Sequence, residues 1–220
     1  MKKVIGLILV VAMLLGMNSI IFAVDVPSAE GELGPTLEDY DIEDGDGLKL
    51  VVTPFAKRAK LPAELKTDLE DAFKQLKNAS SLSAVIPGID AVAAELGKKV
   101  DDLAISDLFD ASVFDSNDNY VGFYGKKVTF TLSSKKGFAS VAAVVHFVDG
   151  KAEVVKDVKI NGNKMTISVD GLSPFAIVKY TAQDAPQTAD FNIVPVVIAA
   201  IVVLGGAFAL IVKARKERAN

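Results

Sequence analysis

The chain has 220 residues, half of them hydrophobic and 24% charged, with a net charge of −4 and a mean hydropathy of +0.35. The absence of cysteine excludes a disulfide framework and thiolate metal clusters, and a single histidine, His146, leaves no room for a His-rich metal site. The acidic balance argues against nucleic acid as the main partner. High hydropathy beside that much charge indicates segregated apolar blocks rather than an evenly greasy chain.

The first block lies at the N-terminus. Lys2 and Lys3 precede an apolar run from Val4 to Gly16, and the small residue Ala23 follows Ile21 at the spacing a signal peptidase accepts. Residues 1–23 read as a signal peptide with cleavage between Ala23 and Val24, the alternative being an uncleaved anchor. Residues 24–47 follow as an acidic arm: from 25 to 47 there are nine acids and no base, with Pro27, Gly31, Gly34 and Pro35 among them. Such a segment has little apolar surface to offset its ordering entropy and is expected to be flexible. The DIEDGDG stretch within it fails the EF-hand pattern, because its sixth and twelfth positions from Asp41 are Asp46 and Val52.

Residues 48–101 are expected to hold one strand and two helices. Leu48, Leu50 and Val52 alternate with Lys49, Val51 and Thr53. From Pro62 to Lys77, Leu65, Leu69, Ala72, Phe73 and Leu76 recur at helical steps, with Pro62 and Glu64 suited to the first turn. A polar turn at Ser80, Ser81 and Ser83 leads to a second helix, from Pro87 or Asp90 to about Leu96, which Gly97 stops. From 102 to 180 the period changes. Strands are expected over 108–114, 127–133, 140–148, 152–160, 165–170 and 175–180, with hairpin turns at Asp149-Gly150 and Asn161-Gly162. The predicted class is α+β: a short helical segment, then an antiparallel β-sandwich built of half-buried strands.

Residues 181–192 form a polar linker. Ile193 to Val212 is a run of 20 uncharged residues, which as a helix spans about 30 Å. The tail 213–220 carries Lys213, Arg215, Lys216 and Arg218, which predicts a transmembrane helix with a cytoplasmic C-terminus. Residues 24–190 hold 27 of the 28 acidic and 18 of the 24 basic residues, so the part expected outside the cell carries −9.

No catalytic set is legible. His146, the only imidazole, alternates within a strand pattern beside Val144 and Val148, and no nucleophile motif accompanies it. Asp115, Asn117 and Asn119 have the alternating oxygens of a calcium loop. The sixth and twelfth positions there are Tyr120 and Lys126, which leaves a plain polar loop, with weak calcium binding as the alternative. Tyr120, Phe123 and Tyr124 cluster around one loop as a candidate contact patch, or as core. Asp101-Asp102 sits at a helix-to-strand junction, and no spacing in the sequence predicts the two carboxylates facing across a cleft that glycoside hydrolysis needs. Low aromatic content and the absence of Trp disfavour a sugar-stacking platform. No cofactor and no metal are expected.

Two motifs carry a resemblance. Ala185-Pro186-Gln187-Thr188-Ala189, an apolar span and a short basic tail together resemble the sorting signal of sortase-anchored surface proteins of Gram-positive bacteria. Ala185 stands where Leu is usual and Ala189 where Gly is usual. Clostridial relatives carry a Pro-Gln-Thr-Gly-Asp version, which Pro186, Gln187, Thr188 and Asp190 match. Upstream, DLFDASVFDSNDN, VTFTL, VAAVVHFVDGKAEVV and MTISVDGLSPFAIVKY resemble the β-domain of surface proteins from gut clostridia, over roughly residues 48–212. The resemblance implies architecture and address but no chemistry. It implies membrane lipid as a contact, cleavage after Thr188 by a sortase-type transpeptidase, and transfer to cell-wall peptidoglycan, with the extracellular ligand unspecified. The expectation is a cell-surface structural or adhesive module without catalysis; the alternative is a membrane-retained extracellular sensor or accessory subunit.

Overall fold

The computed structural model describes residues 31–122 and 124–180. The signal peptide, the Ala23–Val24 cleavage point, the Ala185–Ala189 motif and the apolar span Ile193–Val212 lie outside the described residues. Among the described residues no helix is long and apolar enough to cross a membrane.

The strands are β1 (Thr36–Ile42), β2 (Lys49–Pro54), β3 (Leu103–Phe114), β4 (Tyr120–Val121), β5 (Tyr124–Ser133), β6 (Val141–Val148), β7 (Lys151–Val154), β8 (Asp157–Asn161), β9 (Lys164–Gly171) and β10 (Pro174–Tyr180). Between β2 and β3 lie the helices α1 (Ala63–Asn78), α2 (Leu82–Val85) and α3 (Ile89–Glu95). One sheet has the order β1-β5-β9-β8. The other runs β2-β3-β10-β6-β7, with β4 also on β3, and every pairing is antiparallel.

The fold is thus α+β, with two antiparallel sheets packed face to face and the helices forming a third layer. Phe109, Val128, Phe130, Leu132, Met165, Ile167, Phe175 and Ile177 fill the space between the sheets. Leu69, Leu76, Ile86, Ile89, Ile105, Val145 and Val178 fill the space between the helices and the outer face of the second sheet. The second sheet is therefore covered on both sides. Along β3, eleven consecutive residues are buried, and along β6 seven are. Strands buried on both faces read as continuous apolar runs rather than alternating ones.

Five expectations are corrected. The acidic arm is ordered over its described part: β1 pairs with β5 from Thr36↔Ser133 to Ile42↔Val128. Ahead of it, the buried Asp107 carboxylate accepts from Leu33 N at 2.9 Å and Gly34 N at 3.0 Å. These main-chain bonds, with Leu33 in the inter-sheet core, supply what the segment's composition does not. The segment 48–101 is also not separate from the sandwich, because β2 pairs with β3 and the helices share a core with it. Where a polar turn was expected, Ser81 caps the short α2, its hydroxyl accepting from Ala84 N at 3.3 Å.

The expected strand over 152–160 is two strands in different sheets. Val155 leaves the ladder, donates its N–H to Val144 O at 2.8 Å and enters the inter-sheet core as the chain crosses between layers. The turn after β8 is centred on Gly162-Asn163 rather than Asn161-Gly162, since Asn161 pairs with Lys164 and only Gly162 has positive φ, +59°. Asp149-Gly150 is the expected hairpin turn, with φ +49° and +71°.

Candidate functional site

The residues singled out in the sequence fall in separate places. Tyr120 lies in β4, half-buried, with its ring edge-on to Phe114 at 6.1 Å. Phe123 and the side chain of Tyr124 lie outside the described residues. The Asp115 carboxylate accepts from Asn117 N at 2.8 Å, Asn119 N at 2.9 Å and Asn119 Nδ2 at 3.1 Å. These bonds hold its charged form and lower its pKa. Asp115 thus organises its own loop, and Asp118, at φ +60°, reaches Lys49 at 2.8 Å. Among the described residues no group of three His, Cys, Asp or Glu stands close enough to hold a metal ion. Asp102 Oδ2 accepts from Lys99 N at 2.9 Å, so that acid closes a helical turn.

His146 is buried on the inter-sheet side of β6. Its ring lies parallel to Phe175 at 4.3 Å, and Phe175 stacks in turn on Phe109 at 5.6 Å. The cross-strand register continues the row: Phe109↔Phe175, Phe175↔His146, His146↔Glu153. Residues directly opposite in an antiparallel pair share a face, so Glu153 stands beside His146 at the edge of the sheet. Nε2 of His146 is buried and has no hydrogen-bond partner. Desolvation pushes its pKa down to about 4, so the ring is neutral near pH 7.

On the opposite face of the same sheet, Asp110 of β3 is fully buried. Its Oδ2 accepts from the Ser112 hydroxyl while Oδ1 has no partner. Burial raises its pKa to about 7; the Ser112 bond opposes this and the Asp68 carboxylate on α1 adds to it. Asp68 is itself raised, first by desolvation and then by Asp71.

His146 and Asp68, though not Asp110, border one cleft of about 760 Å³. α1 contributes Asp68, Asp71 and Gln75. The end of β6 and its hairpin contribute His146, Asp149 and Glu153. The crossover and the start of β8 contribute Lys156 and Asp157, β5 contributes Lys127, and the end of β9 through the start of β10 contributes Asp170 to Pro174. Six carboxylates (Asp68, Asp71, Asp149, Glu153, Asp157, Asp170) face two lysines (Lys127, Lys156), so the wall is strongly acidic. Some of this charge is already met, since Asp71 pairs with Lys74 at 2.7 Å. The volume suits a small ligand or a few side chains of a larger one.

Sequence reading found His146 and its burial but not the cleft. Its acids are scattered from Asp68 to Asp170 over five segments, and no spacing marks them as neighbours. The cleft's position in the molecule is distinctive. Leu172, Ser173 and Pro174 line it at the start of β10, whereas the chain leaves the described region at Tyr180, the other end of that strand. Seven residues at about 3.3 Å each separate the two by roughly 20 Å. The entry point lies at the exit end, because Glu32 pairs with Lys179 and donates its N–H to Ser106 O at 2.9 Å.

A scan against protein-family models gives no match, and searches of curated proteins and of solved structures give none either.

Proposed function

We propose that this chain is a cell-surface binding module without catalytic activity, displayed outside a Gram-positive cell and fastened by its C-terminus. The observation that carries the reading is the polarity of the described domain. Entry and exit share one pole, the acidic cleft occupies the other, and the apolar span with its basic tail follows the exit in sequence. A module tethered beyond Tyr180 would hold its cleft away from the surface that anchors it. The chemistry supports binding rather than turnover: His146 is a neutral ring with an unpartnered Nε2, and Asp110 stands in the core behind a serine hydroxyl, not against the cleft. Transfer by a sortase-type transpeptidase after Thr188 of Ala185-Pro186-Gln187-Thr188-Ala189 is the proposed means of anchoring, with peptidoglycan as acceptor.

The test is the mass of the protein released from its native cells by wall digestion. The reading requires a chain from Val24 to Thr188 carrying a wall fragment. A chain reaching Asn220 and extractable with detergent alone would instead make it a membrane-retained extracellular subunit.

A further inference from the structure

The described domain offers several other features, and most are structurally complete. The Asp115 loop spends its carboxylate on its own donors, Asp107 fastens the chain at Leu33 and Gly34, and the outer face of the first sheet is a closed ladder of hydroxyl pairs at Thr129–Ser168 and Thr131–Thr166. The cleft is not complete. Its wall is acidic, and His146, only 6% exposed, lines it with a buried Nε2 that has no partner. A buried ring nitrogen left unbonded costs free energy until a donor reaches it.

We infer that the cleft receives an extended, lysine-bearing polypeptide, whose ammonium groups meet Glu153, Asp157 and Asp170 and whose donors reach toward His146. This deepens the binding-module reading and rests on it for the cleft's role. Three observations select the ligand. The excess of carboxylates calls for a cation, while the lack of any three-ligand cluster among the described residues disfavours a point metal ion. Two sheet edges flank the site: β7 ends one sheet and β8 ends the other, and both are joined through the crossover that lines the cleft. An edge strand presents free main-chain N–H and C=O groups, the means by which an extended peptide adds to a sheet. Finally, the chain has no Trp, and the described cleft wall carries Phe147 as its one aromatic ring besides His146, which leaves no platform for stacking sugars.

The test uses the full chain in a nonionic detergent and a fluorescein-labelled hexapeptide of alternating lysine and threonine, followed by fluorescence anisotropy at low ionic strength. Saturable binding is expected, weakening as salt rises. Glu153→Gln with Asp170→Asn, both exposed positions, should weaken it about tenfold, as loss of two close charge partners does. Asp39→Asn with Asp41→Asn removes the same charge from β1, at the far edge of the first sheet from β8, and should leave affinity unchanged. His146→Phe keeps the stack on Phe175 and should cost about threefold to tenfold.

Equal loss in both double variants would reduce the effect to diffuse charge and overturn the site. So would undiminished binding of the lysine-acetylated peptide, or no binding at all. Binding of a glucosamine tetramer in place of the peptide would overturn the polypeptide assignment. Because the measurement uses purified protein, a failure of wall anchoring leaves it unaffected, and its own failure leaves anchoring standing.

Discussion

His146 and Phe175 lie face to face on neighbouring strands, ring centroids 4.3 Å apart and planes within 4° of parallel. The stack places an imidazole where a further aromatic of the inter-sheet core would otherwise sit, beside Phe109, Phe130 and Phe175. A neutral imidazole suits that place and an imidazolium does not.

Acid should therefore destabilise the fold through this residue. Its folded pKa, about 4, lies below the ordinary value of 6.5, so the unfolded chain takes up the proton first. The stabilising difference is complete above about pH 6.5 and is lost as pH falls toward 4, a total on the order of 3 kcal/mol. Urea denaturation of the native protein and His146→Phe at pH 7.5 and pH 4.5 measures it. The gap between the two should shift in favour of the variant by that amount on acidification. A gap independent of pH would mean that the ring is solvated.

Asp110 works in the opposite direction. Burial raises its pKa to about 7, so the folded state keeps a proton that the unfolded chain releases near 3.8. Its contribution is fully present below about pH 4 and is lost as pH rises toward 7. Asp110→Asn retains the shape and an acceptor for Ser112 without the acid. Relative to native protein, the variant should gain on the order of 3 to 4 kcal/mol between pH 4 and pH 8. Paired denaturation curves at those two pH values decide it, and a constant difference would remove the buried acid from the account.

Gly31 is fitted to Asp107. A Cβ there would lie 2.3 Å from Asp107 Oδ1, and φ is +71°, where other residues are strained. Gly31→Ala should push the carboxylate off Leu33 N and Gly34 N. Asp107→Asn should weaken the same two bonds by about 1.5 to 3 kcal/mol in total. Amide hydrogen exchange is the direct reading: protection of Leu33 and Gly34 should fall in both variants while that of β10 is retained. Unchanged exchange at those two amides would mean that β1 alone holds the segment.

The helices belong to the same cooperative unit as the strands. Leu69 of α1 is fully buried against the second sheet. Leu69→Ala should cost about 3 to 5 kcal/mol and lower one common transition, seen alike by circular dichroism and by tyrosine fluorescence. Two separated transitions would restore a boundary near residue 102.

What the sequence revealed depended on which surfaces face water. Strands β5 and β9 have one solvated face, with Val128 and Phe130 inward against Thr129 and Thr131, and the period of two was plain. The first half of β3, Leu103 to Asp107, carries Ser106 and Asp107 inside a strand covered on both faces, so its alternation was hidden. β1 looked disordered because it is acidic; its partners are Ser133 to Val128, nearly a hundred residues away, and no local pattern encodes them. The cleft was hidden for a related reason. Glu153 acquires meaning only from its cross-strand neighbour His146, and Asp68 only from a helix folded over the far side of the sheet.

The path of β10 has a mechanical consequence. This strand runs from the cleft to the exit of the domain and is laddered on both sides, to β3 and to β6. Its hydrogen bonds lie across its length. A load gripped at the cleft and resisted beyond Tyr180 would pull along the strand, straining both ladders together instead of opening them one rung at a time. A domain loaded in that direction yields by shear, the stiffer of the two ways a sheet can fail.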